Sequence, residues 1–340
     1  WAMSMPTILI DARSMADTKG GGVSRAASYW LTDVTGRQTA RYVCVTTGRR
    51  PSAKVQNFCA EHNFEYHHFK IPNKLWTLLT LFNLTSLQRY GLKKFGEIDT
   101  ILLPNIGFTG PLTAPYHLLL HDCSFAIEPR WFKWKMRLWH RLLPVKNLIK
   151  KAERVHCVSE QTKNDARRLY DLNPEKLSLI PPMNQGLNDS PEKKPAWLPA
   201  TTERFVLLMG GADPRKNIHT ALKAVSLYNI HQPDRPLIPV VLGGEPHNPF
   251  GDYPLPSVIA PHHIADSELI YLYKHAQALL YPSWYEGYGL PLQEIQSYNK
   301  LCVASTAGAL PETAPPGTIF CHPAKPHEWL NALKMITNTI

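Results

Sequence analysis

Tyr281-Pro-Ser-Trp-Tyr-Glu286-Gly-Tyr-Gly-Leu-Pro-Leu-Gln-Glu294 sets two carboxylates, with seven residues between them, around a glycine-rich turn. The apolar run 278–281 before the turn reads as a strand, and residues 291–298 after it read as a helix with proline in its first turn. Gly287 and Gly289 can take positive φ and let a ligand come close to the backbone. Backbone N–H groups near Leu290, with the helix dipole behind them, then favour a phosphate. Glu286 falls on the loop and Glu294 about one turn inside the helix, so one reaches a ligand's sugar and the other its nucleoside. Two acceptors at that separation suit polyol hydroxyls. The same spacing alone also fits a loop-to-helix turn with solvated glutamates, and the surrounding residues decide between the two.

Outward from this turn, apolar β-rich segments alternate with helical patterns. One series covers 7–10, 41–45, 100–103, 117–120, 155–158 and 177–180. A second covers 205–209, 239–242, 278–281 and 301–304, with helices near 216–228, 267–275 and 291–298. This is the βαβ rhythm of parallel sheets. A proline-rich polar stretch, 181–202, separates the series. The expected fold class is α/β, with two doubly wound Rossmann-like domains facing a central cleft. The first would span 6–183, a linker 184–202 and the second 203–340, with the last helix free to return to the first domain. Ligands of open α/β sheets bind beyond the carboxyl ends of the strands, where the loop at 20–25, His121, the turn at 210–216 and Glu286 all fall.

The chain has 340 residues, 44% of them hydrophobic, enough for two folded soluble domains. No apolar run approaches the roughly 18 residues of a membrane span; the richest, Leu75 to Leu84, reads as a buried helix. The opening Trp1-Ala-Met-Ser-Met carries no signal-peptide pattern and reads as a remnant or a cut into a longer protein. Six cysteines without C-x-x-C spacing suggest reduced, buried thiols in a cytosolic protein rather than a zinc or redox site. Net charge is +10, and residues 1–190 hold 26 Lys and Arg against 15 Asp and Glu, which is all of the excess. An anionic partner touching the first domain is implied.

The segment 281–294 resembles the E-x7-E signature of GT-B glycosyltransferases, in the large group of retaining, nucleotide-sugar-dependent enzymes called family 4. The likeness includes Pro282-Ser283, Gly287-Tyr288-Gly289-Leu290-Pro291 and Leu310-Pro311-Glu312. His121-Asp122, Val158-Ser159-Glu160, Pro214-Arg215-Lys216-Asn217 and Leu242-Gly243-Gly244 follow the family's order. The resemblance covers most of the chain and is stronger in its second half. It implies that Glu286 holds sugar hydroxyls, Glu294 the ribose, and the backbone of Gly287, Tyr288, Gly289 and Leu290 the sugar and phosphate. Close likeness of 282–289 to bacterial polysaccharide mannosyltransferases makes GDP-mannose the first-choice donor.

Arg215 and Lys216 fall between a strand end and a helix start, where two cations can offset a diphosphate leaving group. Bare of context they would be an exposed basic pair. Many relatives carry an arginine directly after the glycine that ends this strand; here Gly211 follows Gly210, and Arg215 can supply the missing charge. His121 follows an apolar strand and, in relatives, the matching histidine lies beside donor sugar and acceptor; Asp122 is expected to cap the next segment. Gly20-Gly21-Gly22 and Arg25 offer close backbone approach and a cation but no clean G-x-G-x-x-G, so Gly21, Gly22 and Arg25 are assigned to the acceptor-side loop. Ser159 is expected to cap a helix beginning near Gln161, and Glu312 to be structural.

Between Pro129 and Arg154, four tryptophan and phenylalanine residues and several leucines interleave with eight cations. This is the profile of a basic helix resting on anionic headgroups, or of a surface helix with a buried apolar face. No nucleic-acid-binding pattern accompanies the charges. The reading is a retaining hexosyltransferase that moves a sugar from a nucleoside diphosphate to a glycan or lipid-linked acceptor in surface polysaccharide or lipopolysaccharide synthesis. No cofactor and no metal are expected, and the location is cytoplasmic, peripheral on the inner face of the plasma membrane. A GT-B epimerase or phosphorylase, and a non-catalytic nucleotide- or glycan-binding protein, are the alternatives.

Overall fold

The computed structural model describes residues 5–16, 21–36, 39–182, 191–211, 213–244, 258–261 and 264–338. The chain divides into two compact units: residues 1–127 with 133–183, and residues 128–132 with 184–340. Each is built on a sheet whose strands are all parallel.

In the first unit the strands are β1 (Thr7–Asp11), β2 (Arg41–Thr47), β3 (Glu65–Phe69), β4 (Thr100–Leu103), β5 (Tyr116–Leu120), β6 (Arg154–Cys157) and β7 (Leu177–Leu179), in spatial order β3-β2-β1-β4-β5-β6-β7. The inner strands are near-continuous apolar runs because helices cover both faces. Leu9, Val43, Ile101, Leu118 and Val155 turn to one face and join a single core with Trp76 and Ile149. The order reverses between β1 and β4, so the loops after these strands border a crevice at their carboxyl ends.

The second unit has β8 (Phe205–Met209), β9 (Ile238–Leu242), β10 (Ala278–Tyr281), β11 (Leu301–Ser305) and β12 (Ile319–Cys321), in the order β12-β11-β10-β8-β9. Alternation along the strands splits its core in two. Val206, Leu208, Val241 and Leu280 meet the helices Ile218–His231 and Pro326–Asn338. Leu207, Val240 and Leu279 meet Leu272 and Tyr273 of the helix Asp266–His275, and Leu292 and Ile295 of Leu290–Gln296. The last helix thus packs within the second unit, through Trp329, Leu333 and Ile336. Leu198, from the stretch read as linker, is also buried in this unit's core. The switch point lies between β8 and β10, which places the turn at 210–216 and the turn at 282–289 side by side.

Three sequence expectations change. The stretch Leu75 to Leu84 is not a buried helix: Asn73–Leu81 is helical, but it turns only Trp76 and Thr80 inward. Leu78, Phe82 and Leu84 are 52%, 64% and 67% exposed, since a nine-residue surface helix can bury only one face. The basic aromatic stretch is not one helix either. It comprises a 3-10 turn at Pro129–Trp131 and helices Trp134–Leu142 and Val145–Lys151, broken because Pro144 forces Leu143 into extended backbone. The first of these helices has no fully buried residue, though Trp139 packs against the core, and the second buries Val145, Leu148 and Ile149, as the alternative of a surface helix with a buried apolar face expects. Finally, β3 and β12 were not foreseen; Glu65-Tyr-His-His-Phe69 is half-buried on a sheet edge, and β12 has three residues.

All six cysteines are buried and unbridged. Among the described residues, no helix is long and apolar enough to cross a membrane.

Candidate functional site

The chemistry-bearing groups of the second unit collect at the β8/β10 switch point. Lys216 lies in the 3-10 turn Pro214–Lys216, started by Asp213, whose carboxylate accepts the N–H of Arg215. Asn217 then takes a left-handed conformation, φ +53°, and its amide donates to the carbonyls of Pro282 and Pro323, each at 2.8 Å. The Trp284 N–H donates to the Arg215 carbonyl at 2.8 Å. These backbone ties bring the two loops into one wall.

Across that wall the Lys216 ammonium donates to Glu286 Oε1 at 2.6 Å and to the Tyr281 hydroxyl at 2.9 Å, and it lies 5.0 Å from the centre of the Tyr281 ring. Ser283 Oγ donates to the same Oε1 at 2.6 Å, while Ser305 Oγ holds the Ser283 carbonyl. Glu286 is 5% exposed. Burial raises a carboxyl's pKa, but Lys216, Arg215 and the two hydrogen bonds outweigh it and hold Glu286 below the usual carboxylate range. Burial likewise opposes the Lys216 ammonium, yet the Glu286 carboxylate pushes its pKa up. The Tyr281 hydroxyl is pushed up to about 12, first by burial and then by Glu286. The site is therefore an ammonium–carboxylate pair at neutral pH. Oε2 of Glu286 accepts no hydrogen bond from the described residues, and Lys216 has three donors for two acceptors.

Glycines let the loops close on this pair. A side chain on Gly308, φ +60°, would lie 2.6 Å from the backbone of Glu286, and one on Gly210 2.5 Å from Lys216. A Cβ on Gly211 would lie 2.1 Å from the Gly244 carbonyl, so no arginine fits directly after Gly210. Arg215 stands beside Asp213 at 3.4 Å, and its charge helps to lower the Glu286 pKa.

In the 286–294 loop, Gly289 has φ +99° and Gly287 is not among the positive-φ glycines, so only one of the two uses the freedom that both have. The Tyr288 carbonyl accepts from the Thr313 hydroxyl, and Leu290 opens a helix of only seven residues. Glu294 is 4% exposed and accepts the Tyr273 hydroxyl at 2.8 Å, which removes the alternative of a solvated glutamate. Tyr281, Ser283 and Asn217 appear in the sequence only as parts of motifs and Tyr273 not at all; their roles as hydrogen-bond partners arise from contacts that only the fold brings about.

The first unit places its own residues at the ends of β1, β4 and β5. His121 follows β5 and its Nε2–H donates to the Pro104 carbonyl at 2.8 Å. Burial lowers its pKa over the opposing pull of that carbonyl and of Asp122. The ring is thus neutral, with Nδ1 as the acceptor nitrogen. Asp122 caps the following turn through Ser124. Gly21 caps the helix Gly22–Thr35 with φ −61°, and a Cβ there would meet nothing within 4 Å; Arg25 is exposed one turn later. Gly20 lies outside the described residues. Sequence reading also missed Arg13, which forms a bidentate pair with Asp11 and stands 5.1 Å from the Trp76 ring centre. Ser159 caps its helix through Thr162.

Residues 189–338 match the model of the family described as glycosyl transferases group 1. The matched residues fall within the second unit. The O-antigen chain mannosyltransferase RfbU of Salmonella typhimurium is 26% identical over 251 residues, which is 72% of this chain and 67% of that protein. Other curated relatives are spanned over about half of their length or less. Among solved structures, sucrose-phosphate synthase from Thermosynechococcus elongatus superposes with a TM-score of 0.68 at 19% identity, over 98% of this chain and 90% of that one. The Anabaena HepE protein, solved with UDP and glucose, gives 0.62 at 16% identity, with the same coverage. At such identities the likeness is one of fold. The fold is GT-B, and the chain is a glycosyltransferase similar to bacterial mannosyltransferases.

Two predictions concern how the glycosyltransferase holds this site. Glu286→Gln leaves Lys216 buried without its counter-charge and should lower stability by about 3–5 kcal/mol, whereas adding Lys216→Met should restore most of it. Urea unfolding at neutral pH reads this directly. Because Glu286 titrates below its unfolded value, about 4.3, its contribution is complete above that pH and disappears as acid protonates the folded carboxyl. The wild type should therefore lose stability more steeply than the double variant in that acid range. For the glycines, Gly211→Ala should lower the melting temperature because its Cβ meets backbone. Gly21→Ala, in open space at an ordinary φ, should cost less than about 1 kcal/mol, so any loss of activity it causes reports on ligand approach.

Proposed function

We propose that this glycosyltransferase transfers a hexose from a nucleoside diphosphate to a glycan or lipid-linked acceptor with retention of anomeric configuration, in bacterial surface polysaccharide or lipopolysaccharide synthesis. The observation that carries the reading is the buried Lys216–Glu286 pair at the β8/β10 switch point of a glycosyl transferases group 1 domain. The third N–H of Lys216, with Arg215, meets the diphosphate, and Oε2 of Glu286 accepts a sugar hydroxyl. Glu294 and the backbone of Gly287, Tyr288, Gly289 and Leu290 take the ribose, sugar and phosphate. Mannose from GDP-mannose is the first choice, supported by the likeness to an O-antigen mannosyltransferase.

In the chemical step the bond from the anomeric carbon to the diphosphate oxygen breaks, and the acceptor oxygen bonds to the same face. The acceptor's proton passes to the departing phosphate oxygen. Lys216 and Arg215 stabilise the charge that develops there, so no metal or cofactor is required. Neutral His121 lies on the acceptor side with Gly21, Gly22 and Arg25. The exposed cations and aromatics of 130–151 rest on an anionic membrane, on its cytoplasmic face.

Glu286→Gln should lower sugar transfer by about 10²–10³-fold while a nucleoside diphosphate still raises the melting temperature; wild-type turnover in this variant would contradict the assignment. A panel of nucleoside diphosphates and their sugars, read by thermal shift, identifies the base. Lys216→Ala should weaken nucleoside diphosphate binding by about tenfold or more, as loss of a charged hydrogen bond does. Nucleoside binding should hold, and equal losses for both ligands would remove the phosphate role. Activity should survive EDTA.

A further inference from the structure

The first unit contains a cavity of about 470 Å³ that the sugar-transfer chemistry does not use. It is lined by the loop 107–112, the end of the helix Asn73–Leu81 and the helix Val145–Lys151; Leu81, Phe108, Leu112 and Leu148 supply its apolar half, and Thr80, Asn83 and Thr109 contribute to an equally large polar half. Asn147 and the exposed Lys151 stand among its polar lining. Its volume falls in the range of small-molecule sites, roughly 300–1,000 Å³.

Two exposed apolar stripes run up to this cavity. Trp134, Leu138 and Leu142 follow one another at intervals of four on the helix Trp134–Leu142 and are 62%, 47% and 45% exposed; Leu142 itself lines the cavity. Leu75, Leu78 and Phe82, at intervals of three and four, are 45%, 52% and 64% exposed and end beside the lining residues Leu81 and Asn83. Exposed apolar side chains clustered beside a cavity mark an interaction site more often than bare solvent-facing surface. The charge around it selects that partner: residues 133–151 contain seven exposed Lys and Arg and no Asp or Glu. Tryptophan, leucine and cations in this arrangement match the boundary between headgroups and acyl chains.

We propose that the cavity takes one hydrocarbon chain of an anionic membrane lipid, led in along the two stripes, with the lipid's phosphate held by Lys151. This rests on the proposed anionic membrane surface and adds a defined lipid site to it. Glycosyl transfer would then take place with the first unit anchored through a lipid, not only by surface charge.

The test uses the full chain and dodecyl phosphate, kept below its micelle concentration, by calorimetry. One molecule should bind per chain, and inorganic phosphate should not compete. Uncharged dodecyl maltoside should bind about tenfold more weakly or worse, as should dodecyl phosphate to Lys151→Glu, since each lacks the charged hydrogen bond. Leu112→Trp and Asn147→Trp fill the cavity from a loop and from an exposed helix position. Each should abolish saturable binding while the thermal shift with nucleoside diphosphate stays that of wild type. Absence of dodecyl phosphate binding in the wild type, or wild-type binding in both folded tryptophan variants, overturns the proposal. Anionic vesicle sedimentation separates it from the surface reading: vesicle binding without dodecyl phosphate binding removes the cavity alone, and the reverse removes the surface reading alone.

Discussion

The contact between Lys216 and Glu286 is the constraint around which the second unit is organised. Seventy residues separate the two in sequence, and each carries a charge that cannot remain buried unpaired. Their pairing requires the loops after β8 and β10 to lie together, which the parallel order β10-β8 and the bonds from Asn217 and Trp284 secure. It also explains the glycines. Gly210 and Gly308 stand where any side chain would strike the pair or its backbone, so they are fixed by the packing of the site itself.

A buried ion pair contributes little net stability compared with apolar residues of the same size. In the proposed function its value lies in ligand binding. Both charges are fixed in place, and among the described residues each retains one unfilled position: a lysine N–H and a carboxylate oxygen. A phosphate and a sugar hydroxyl complement these positions without reorganising the pair. Arg215, displaced from the position after Gly210 because the Gly244 carbonyl fills that space, adds positive charge from the next turn. The first unit is built differently. Its His121 is held to the Pro104 carbonyl, its Arg13 pairs with Asp11, and it carries the chain's excess of cations.

Most of the sheet strands were legible because buried parallel strands such as Phe205–Met209 and Ala278–Tyr281 are uninterrupted apolar runs. Glu65–Phe69 escaped notice since an edge strand with two histidines shows no such run. Apolar composition also misled: Leu75 to Leu84 contains enough leucine to suggest burial, yet hydropathy does not say which face meets the sheet, and only Trp76 and Thr80 do. At the site, Glu286, Lys216 and Arg215 were found through motif spacing at strand ends. The roles of Tyr281, Ser283 and Tyr273 were not, because a hydroxyl's role as a partner depends on a contact that has no local pattern. Gly287 shows the same limit from the backbone side, since a glycine permits positive φ without requiring it.

A crystal structure of the protein with an intact nucleoside diphosphate hexose, or a non-hydrolysable analogue, tests the central claim most directly. The Lys216 ammonium should stand about 2.7–2.9 Å from a phosphate oxygen, with Glu286 still bound to it and accepting a hydroxyl of the hexose. A diphosphate bound away from Lys216, or a hexose that makes no contact with Glu286, would contradict the account.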